Sequence, residues 1–209
     1  MDDSLTSILY FGVALYVFWL WSKDYRLQKE QGPQPQALPG ATSATLPIIL
    51  YGVIGALLLL GLETGGEIVF GYHTEQTTIS AFFLFSMLAA AIVEEVIFRG
   101  YLVVRRKGTA ILVLSILGFS LFFTLIHPYL WEIQKEEGAG LFGITGIAFN
   151  LSGKALFSSA FIFLNSLWFY YLRFAPSNPE RSLLPCFAAH FAGNLGVFLV
   201  KAAQGYVEF

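Results

Sequence analysis

Charged side chains are scarce in this chain, and neither sign dominates. Asp, Glu, Lys and Arg make up 12% of the 209 residues, and the formal net charge is −2. Soluble globular proteins carry about 25% charged residues, so a chain that is 56% hydrophobic is predicted to have lipid as its main solvent. A nucleic-acid partner is not expected, because the sequence lacks the basic excess typical of such proteins.

Cysteine is nearly absent as well. The single Cys186 excludes an intramolecular disulfide and any CxxC-type metal site. It lies in the apolar stretch LLPCFAAHF, which predicts a small buried hydrophobic residue. Internal repeats and low-complexity tracts do not stand out. The apolar runs and their loops use the whole length, so we expect a single integral membrane domain over residues 1–209.

Long apolar runs dominate the sequence, and a membrane-spanning helix needs about 20 predominantly apolar residues. The runs predict an all-α fold, a polytopic membrane helix bundle of about six transmembrane helices. The predicted helices cover approximately residues 5–21, 46–62, a third run from near residue 79, 109–126, 155–172 and 183–200. The polar segments 23–45 and 63–78 are expected to be loops, the second one acidic and without Lys or Arg.

One apolar piece does not fit this pattern. Residues 141–151 are too short to span a bilayer. The region 141–154 is therefore predicted to contain a short re-entrant or interfacial segment, or a helix start interrupted near Ser152-Gly153-Lys154.

Basic residues alternate between the predicted loops. Three alternate loops hold most of them: Lys23, Arg26 and Lys29; Arg105, Arg106 and Lys107; Arg173 and Arg181. The intervening loops hold none or one. By the positive-inside rule these three loops are cytoplasmic, and both termini are predicted to lie outside.

The third apolar run carries a charged cluster, in the sequence AAAIVEEVIFRGYLVV. Charges at such depth cost roughly 2.5–3.5 kcal/mol each on insertion scales and are kept mainly where they pair or face a cavity. Glu95 and Arg99 are four residues apart on one helix face, which predicts a supporting ion pair. Glu94 lies about 100° around the helix and is left as the better chemical candidate. The alternative is a cluster at the membrane edge, with Arg99 snorkelling to the surface.

Two of the three histidines lie in apolar surroundings, whereas His73 lies in a polar loop and is expected at the surface. His127 follows the fourth run. Counted from the turn at Gly108, it differs in height from Glu94 by roughly 7 Å, so an antiparallel helix pair can bring the two together. His190 and Asn194 are four residues apart on the last helix and project on one face. Three helices can therefore focus these polar groups on one buried place.

These residue types suit hydrolysis of a peptide bond without a covalent intermediate. A carboxylate beside a histidine can activate water, and a second histidine with an amide can stabilise an oxyanion. A zinc site made of the same Glu and His residues is the nearest chemical rival. The same residues are also compatible with a Cys186–His190 nucleophilic pair, with a non-enzymatic proton or ion relay or binding protein, and with polar groups that only hold the bundle together.

Three short motifs resemble those of the CAAX-protease and bacteriocin-processing family of intramembrane proteases. EEVIFRG from Glu94 is similar to its EExxxR motif, FTLIH from Phe123 to its FxxxH motif, and HFAGN from His190 to its HxxxN motif. Their order is the family's order, and each falls on a separate predicted helix. The region they cover gives an expected catalytic core at about 79–200.

The resemblance implies a glutamic-type intramembrane endopeptidase that needs no cofactor. It implies that Glu94 and His127 activate water, that His190 and Asn194 form the oxyanion site, and that Glu95 and Arg99 are supportive, with Phe123 opening the second motif. It further implies a peptide or protein substrate that is membrane-anchored or has a hydrophobic tail. A small chain of this kind fits a processing enzyme of a bacterial or archaeal cell membrane.

Overall fold

A computed structural model describes residues 3–135 and 144–209, and the helices within these ranges form an antiparallel bundle. The six α-helices are α1 (Asp3–Gln31), α2 (Leu46–Phe70), α3 (Phe83–Glu94), α4 (Thr109–Ile126), α5 (Gly153–Phe174) and α6 (Leu184–Ala203). A 3-10 turn covers Tyr72–Glu75 and a π-helical segment covers Glu95–Tyr101. The strands are β1 (Ile79–Ser80), β2 (Trp131–Lys135), β3 (Ile144–Phe149) and β4 (Val207–Glu208).

Five of these helices, α1, α2, α4, α5 and α6, are long and apolar enough to cross a membrane. The sixth, α3, has only 12 residues, but the 7-residue π segment continues it without a break over 83–101. Large hydrophobic side chains such as Leu58, Leu62 and Leu114 are exposed on the bundle surface, where lipid is their natural solvent. The prediction of an all-α polytopic membrane bundle is confirmed.

The first two helices extend beyond their apolar runs. Helix α1 continues to Gln31 and ends at Gly32, which has a positive φ of 81° and is followed by Pro33. The predicted loop at 23–45 was therefore wrong over 23–31, because Lys, Arg, Gln and Glu are good helix formers although they are not apolar. Helix α2 likewise continues to Phe70, so the predicted loop at 63–78 begins later than expected.

Short strands, rather than helix, occupy the region between α4 and α5. Strand β3 pairs antiparallel with β2, with Trp131 opposite Phe149. Helix α5 starts at Gly153, and the side chain of Ser152 caps it by accepting a hydrogen bond from the Ala155 N–H at 3.2 Å. The alternative of a helix start within 141–151 was therefore wrong over 144–151. Residues 141–143 lie outside the described ranges, and an interfacial role for this region stays a prediction.

The connections between helices gather at two ends of the bundle. The basic end consists of 32–45, 102–108 and 175–183, where the Leu183 N–H donates to the Gly40 carbonyl at 3.0 Å. Here burial, followed by repulsion from Arg181 and Arg106, lowers the pKa of Arg105. The strand end consists of 71–82, 127–152 and 204–209, within which β1 pairs parallel with β4. This division agrees with the alternation of basic residues in the sequence.

Helix α6 occupies the centre of the bundle, since it packs against α2, α3 and α5, while α1 packs on the far side of α3. Helices α2 and α5 approach closely at Gly55, where an added Cβ would overlap the indole ring of Trp168. The main apolar core lies toward the basic end and includes Trp21, Ile48, Leu172 and Phe187. This packing brings the faces of α3, α5 and α6 together near mid-bundle.

Candidate active site

The helix that carries both carboxylates changes its winding within the motif. Helix α3 ends at Glu94, and the following residues form a π-helical segment in which the Leu102 N–H donates to the Ile97 carbonyl at 2.9 Å. Such segments are rare and are often found at functional sites. The hydroxyl of Tyr170 on α5 lies 2.9 Å from the carbonyls of both Phe98 and Leu102, where it donates to the wide turn.

Glu95 and Arg99 form the predicted ion pair, and both side chains are fully buried. Arg99 Nη1 donates to Glu95 Oε1 at 3.0 Å. On the other side, Arg99 Nη2 donates to Ser166 Oγ at 2.8 Å and to the Ser166 carbonyl at 3.3 Å. Ser166 Oγ in turn donates to Ser120 Oγ at 3.0 Å. The membrane-edge alternative is wrong for Arg99, because its guanidinium ties the π segment to α4 and α5 inside the bundle.

Aromatic rings enclose the same guanidinium. Its central carbon lies 4.6 Å from the ring centre of Phe123, 5.1 Å from that of Phe169 and 5.0 Å from that of Tyr170. A desolvated cation gains about 2 kcal/mol from such ring faces. The positive charge is therefore held in a dry position where it acts on Glu95 and not on solvent.

His190 lies between the two carboxylates. Its Nδ1 is 2.8 Å from Glu95 Oε1, a hydrogen bond in which Nδ1–H donates, and its Nε2 is 4.0 Å from Glu94 Oε2. The ring is stacked on Phe169, with centres 4.9 Å apart and planes inclined by 22°. Glu95 thus orients His190, and the free Nε2 faces Glu94. Spacing alone did not predict this arrangement, because it assigned Glu95 only to Arg99.

Glu94 is the carboxylate without a close partner, as the sequence predicts. Its side chain is 21% exposed, and its buried Oε2 has no hydrogen-bond partner among the described residues. The 4.0 Å separation from His190 Nε2 is too long for a direct hydrogen bond. It is suited to a single oxygen atom placed about 2.8 Å from each group.

His127 ends α4 and is held by its own helix. Its Nδ1 lies 2.7 Å from the Phe123 carbonyl, and a carbonyl can only accept, so Nδ1 carries a hydrogen. In the neutral ring Nε2 is then the basic nitrogen. The ring also contacts Phe123, with centres 4.6 Å apart, and the buried Phe123 separates His127 from Arg99. Within the described ranges, the histidine that comes within 4.0 Å of Glu94 is His190 and not His127.

Asn194 lies one helical turn after His190. Its amide Nδ2 donates to the Met87 carbonyl at 2.6 Å, which ties α6 to α3. An amide group has two hydrogens, so one remains for another acceptor. The predicted juxtaposition of His190 and Asn194 on one face of α6 agrees with this geometry.

A cavity of about 210 Å³ connects these groups to the strand end of the bundle. His127, His190 and Asn194 line it, and so do Glu63 and Glu67 of α2. Sequence reasoning missed the last two as site residues, although their spacing of four is a usable signal, because a polar segment after an apolar run predicts a loop. Ser120, Ser166 and Tyr170 were also missed, because single hydroxyl residues in apolar helices carry no distinguishing pattern.

The donor atoms do not suit a metal ion well. Within residues 3–135 and 144–209, no group of three or more His, Cys, Asp or Glu side chains is arranged to hold one. The Sγ–H of Cys186 donates to the Phe169 carbonyl at 3.2 Å and the residue is completely buried, in agreement with the predicted small hydrophobic residue. No catalytic step below is routed through a metal or a thiolate.

Fold and site together define a polytopic membrane protein whose helices enclose a cluster of two carboxylates, a guanidinium, an imidazole and an amide. Residues 76–196 match the model of a protein family described as Type II CAAX prenyl endopeptidase Rce1-like. This match covers more than half of the 209 residues, and the chain therefore belongs to that family. No curated protein and no solved structure gave a significant match. The resemblance inferred from the three motifs is confirmed at the level of the family.

Proposed function

We propose that this chain is a glutamic-type intramembrane endopeptidase that hydrolyses a peptide bond with an activated water molecule. The observation that carries the proposal is His190, held by Glu95 with its second nitrogen 4.0 Å from the unpartnered Glu94 carboxylate. A buried ion pair that served structure alone would need only Glu95 and Arg99. The additional carboxylate beside an oriented imidazole supplies groups that accept and donate protons.

In the proposed reaction, Glu94 and His127 accept the proton of the attacking water. The water oxygen forms a bond with the carbonyl carbon of the substrate, and the carbonyl oxygen becomes an oxyanion. The same two residues then return the proton to the leaving nitrogen as the C–N bond breaks. His127 is suited to this role because Nδ1 is occupied by the Phe123 carbonyl, which leaves Nε2 as the basic atom.

His190 and Asn194 stabilise the oxyanion by hydrogen bonds, which is the effect expected of preorganised donors in a water-poor site. Asn194 has a second amide hydrogen for this purpose, since one is used on Met87. His190 donates from Nε2 when both ring nitrogens carry hydrogen, because Nδ1 already bonds Glu95. Arg99 and Glu95 take no part in bond making and act by fixing His190.

The substrate is a membrane-anchored or hydrophobic-tailed peptide or protein, because the cavity that reaches the site lies within the spanning helices. We further propose a bacterial or archaeal cell membrane as the location, with the basic end cytoplasmic and both termini outside.

The test is cleavage of a library of hydrophobic peptides by the detergent-purified protein, with products identified by mass spectrometry. Glu94→Gln, His127→Ala and His190→Ala are each expected to lower kcat by about 10²–10⁴. Glu75→Gln and His73→Ala are matched controls, since both residues lie on the 3-10 turn away from the site, and should cleave normally. Equal cleavage by the three site variants and the wild type would refute the assignment. Loss of activity with a chelator, restored by Zn²⁺, would favour a zinc enzyme.

A further inference from the structure

The cavity has a second polar wall that the proposed reaction does not use. Glu63 and Glu67 lie one turn apart on α2 and both line the cavity that His127, His190 and Asn194 also line. Tyr129 completes this wall, and burial, followed by the negative charges of Glu63 and Glu67, raises the pKa of its hydroxyl. The three groups therefore face one another around a negatively charged space.

Glu67 is the most informative of these residues. It is 8% exposed, and it makes no hydrogen bond and no ion pair within 4.0 Å to any described residue. A buried carboxylate without a partner is costly, and proteins retain such groups where a ligand or a charge compensates them. Its position in the cavity wall indicates that the compensating group arrives through the cavity.

The nearby lysines are committed elsewhere. Lys154 Nζ donates to the Tyr72 carbonyl at 2.9 Å, and Lys201 Nζ donates to the Thr77 carbonyl at 2.7 Å. Both ammonium groups thus hold the main chain of the 3-10 turn and the residues after it. Their charges act on Glu67 from a distance, but neither lysine forms an ion pair with it.

The distance from this wall to the reacting groups suits a peptide. Asn194 and Lys201 both line the cavity and lie seven residues apart on α6, a rise of about 10 Å. An extended peptide advances about 3.3 Å per residue, so about three residues span the same height. A long side chain adds reach, which places the recognised residue about three to five positions from the scissile bond.

We propose that Glu63 and Glu67 bind the ammonium or guanidinium group of a basic residue in the peptide substrate. The inference rests on the proposed function and adds a preference to it: a hydrophobic peptide with one Lys or Arg about three to five residues from the cleaved bond. The basic group then neutralises Glu67 in the wall of the cavity while the peptide bond reaches His190 and Asn194.

The probe is a set of fluorescent hydrophobic nonapeptides that share one sequence and carry a single Lys at successive positions. Norleucine replaces that Lys in the matched peptides, because it keeps the length and removes the charge. Binding to the detergent-purified protein is measured by fluorescence anisotropy. At one or two adjacent positions, Lys is expected to lower Kd about tenfold relative to norleucine, a ratio within the range of charge-assisted hydrogen bonds.

Variants assign this preference to the wall. In Glu67→Gln the Lys advantage should fall below twofold, while Kd for the norleucine peptide stays unchanged. Glu63→Gln is the second variant if Glu67→Gln does not fold, and Glu67→Lys should reverse the preference toward a peptide with Glu. Glu75→Gln is the control for long-range attraction, because Glu75 is an exposed carboxylate at the same end of the bundle, and it should retain the full advantage.

Three outcomes would overturn the inference: no Lys advantage at any position, an equal advantage in wild type and Glu67→Gln, or no measurable binding of either peptide. An advantage that appears only with added divalent cation would assign the wall to a free metal ion instead. Cleavage of the same peptides is followed separately. Cleavage without a Lys preference contradicts only the binding site, whereas a Lys preference without cleavage contradicts only the proposed protease activity.

Discussion

The buried pair Glu95–Arg99 allows a quantitative test of how the site is held. Arg99→Met keeps the length of the side chain but removes a guanidinium that makes hydrogen bonds to Glu95 and Ser166. Glu95 would then be a fully buried carboxylate whose remaining partner is His190. Removal of one member of a buried ion pair typically costs about 3–5 kcal/mol, and we expect a loss of this size in the free energy of unfolding.

The double variant separates charge from packing. Replacing both members of a buried pair is often near neutral, because no uncompensated charge remains. Glu95→Gln combined with Arg99→Met should therefore be more stable than Arg99→Met alone, although both lack activity because His190 loses its orientation. Unfolding is measured by titrating detergent micelles with sodium dodecyl sulfate and recording tryptophan fluorescence.

The exposed Arg106 provides the control, and Arg106→Met should change stability by less than about 0.5 kcal/mol. A loss of less than about 1 kcal/mol in Arg99→Met would refute the reasoning, since the guanidinium would then not be holding a buried charge. Strictly additive effects of the two substitutions would do the same, because residues in direct contact are expected to couple.

Three further predictions concern single residues. Tyr170→Phe removes the hydroxyl that supports the π segment and should destabilise the protein by about 1–3 kcal/mol in the same unfolding assay; no change would show that the segment needs no support. Asn194→Ala should lower kcat by about 10²–10³ with little change in KM, and a change in KM alone would argue against oxyanion binding. Cysteines at the exposed positions Arg106 and Glu132 should react with an impermeant maleimide only from the cytoplasm and only from outside, respectively, while the buried Cys186 stays unlabelled; the reverse pattern would invert the topology.

Hydrophobic runs located the helices, but not their full length. Apolar residues mark the part of a helix in lipid, whereas helix formation also includes polar residues with high helix propensity. The last turns of α1 and α2 were missed for this reason, and Glu63 and Glu67 were assigned to a loop. Their spacing of four residues becomes meaningful only once α2 is known to continue to Phe70.

Within the site, spacing predicted contacts on one helix better than contacts between helices. The Glu95–Arg99 pair follows directly from a separation of four residues. The depth count joined Glu94 to His127, while the contact within 4.0 Å is with His190. Counting residues fixes height along a bundle, but it does not fix which faces meet, because that depends on helix packing and on the π segment.

The Glu95–Arg99 contact also bears on how the protein enters the membrane during its synthesis. These two residues lie on the third spanning segment, whereas Ser166 and His190 belong to α5 and α6, which are made later. Because the pair forms within one helix, this segment inserts with two of its charges already neutralised, without help from helices that do not yet exist. His190 meets both carboxylates only when the last segment has inserted, and the polar centre is therefore completed as the final step of assembly.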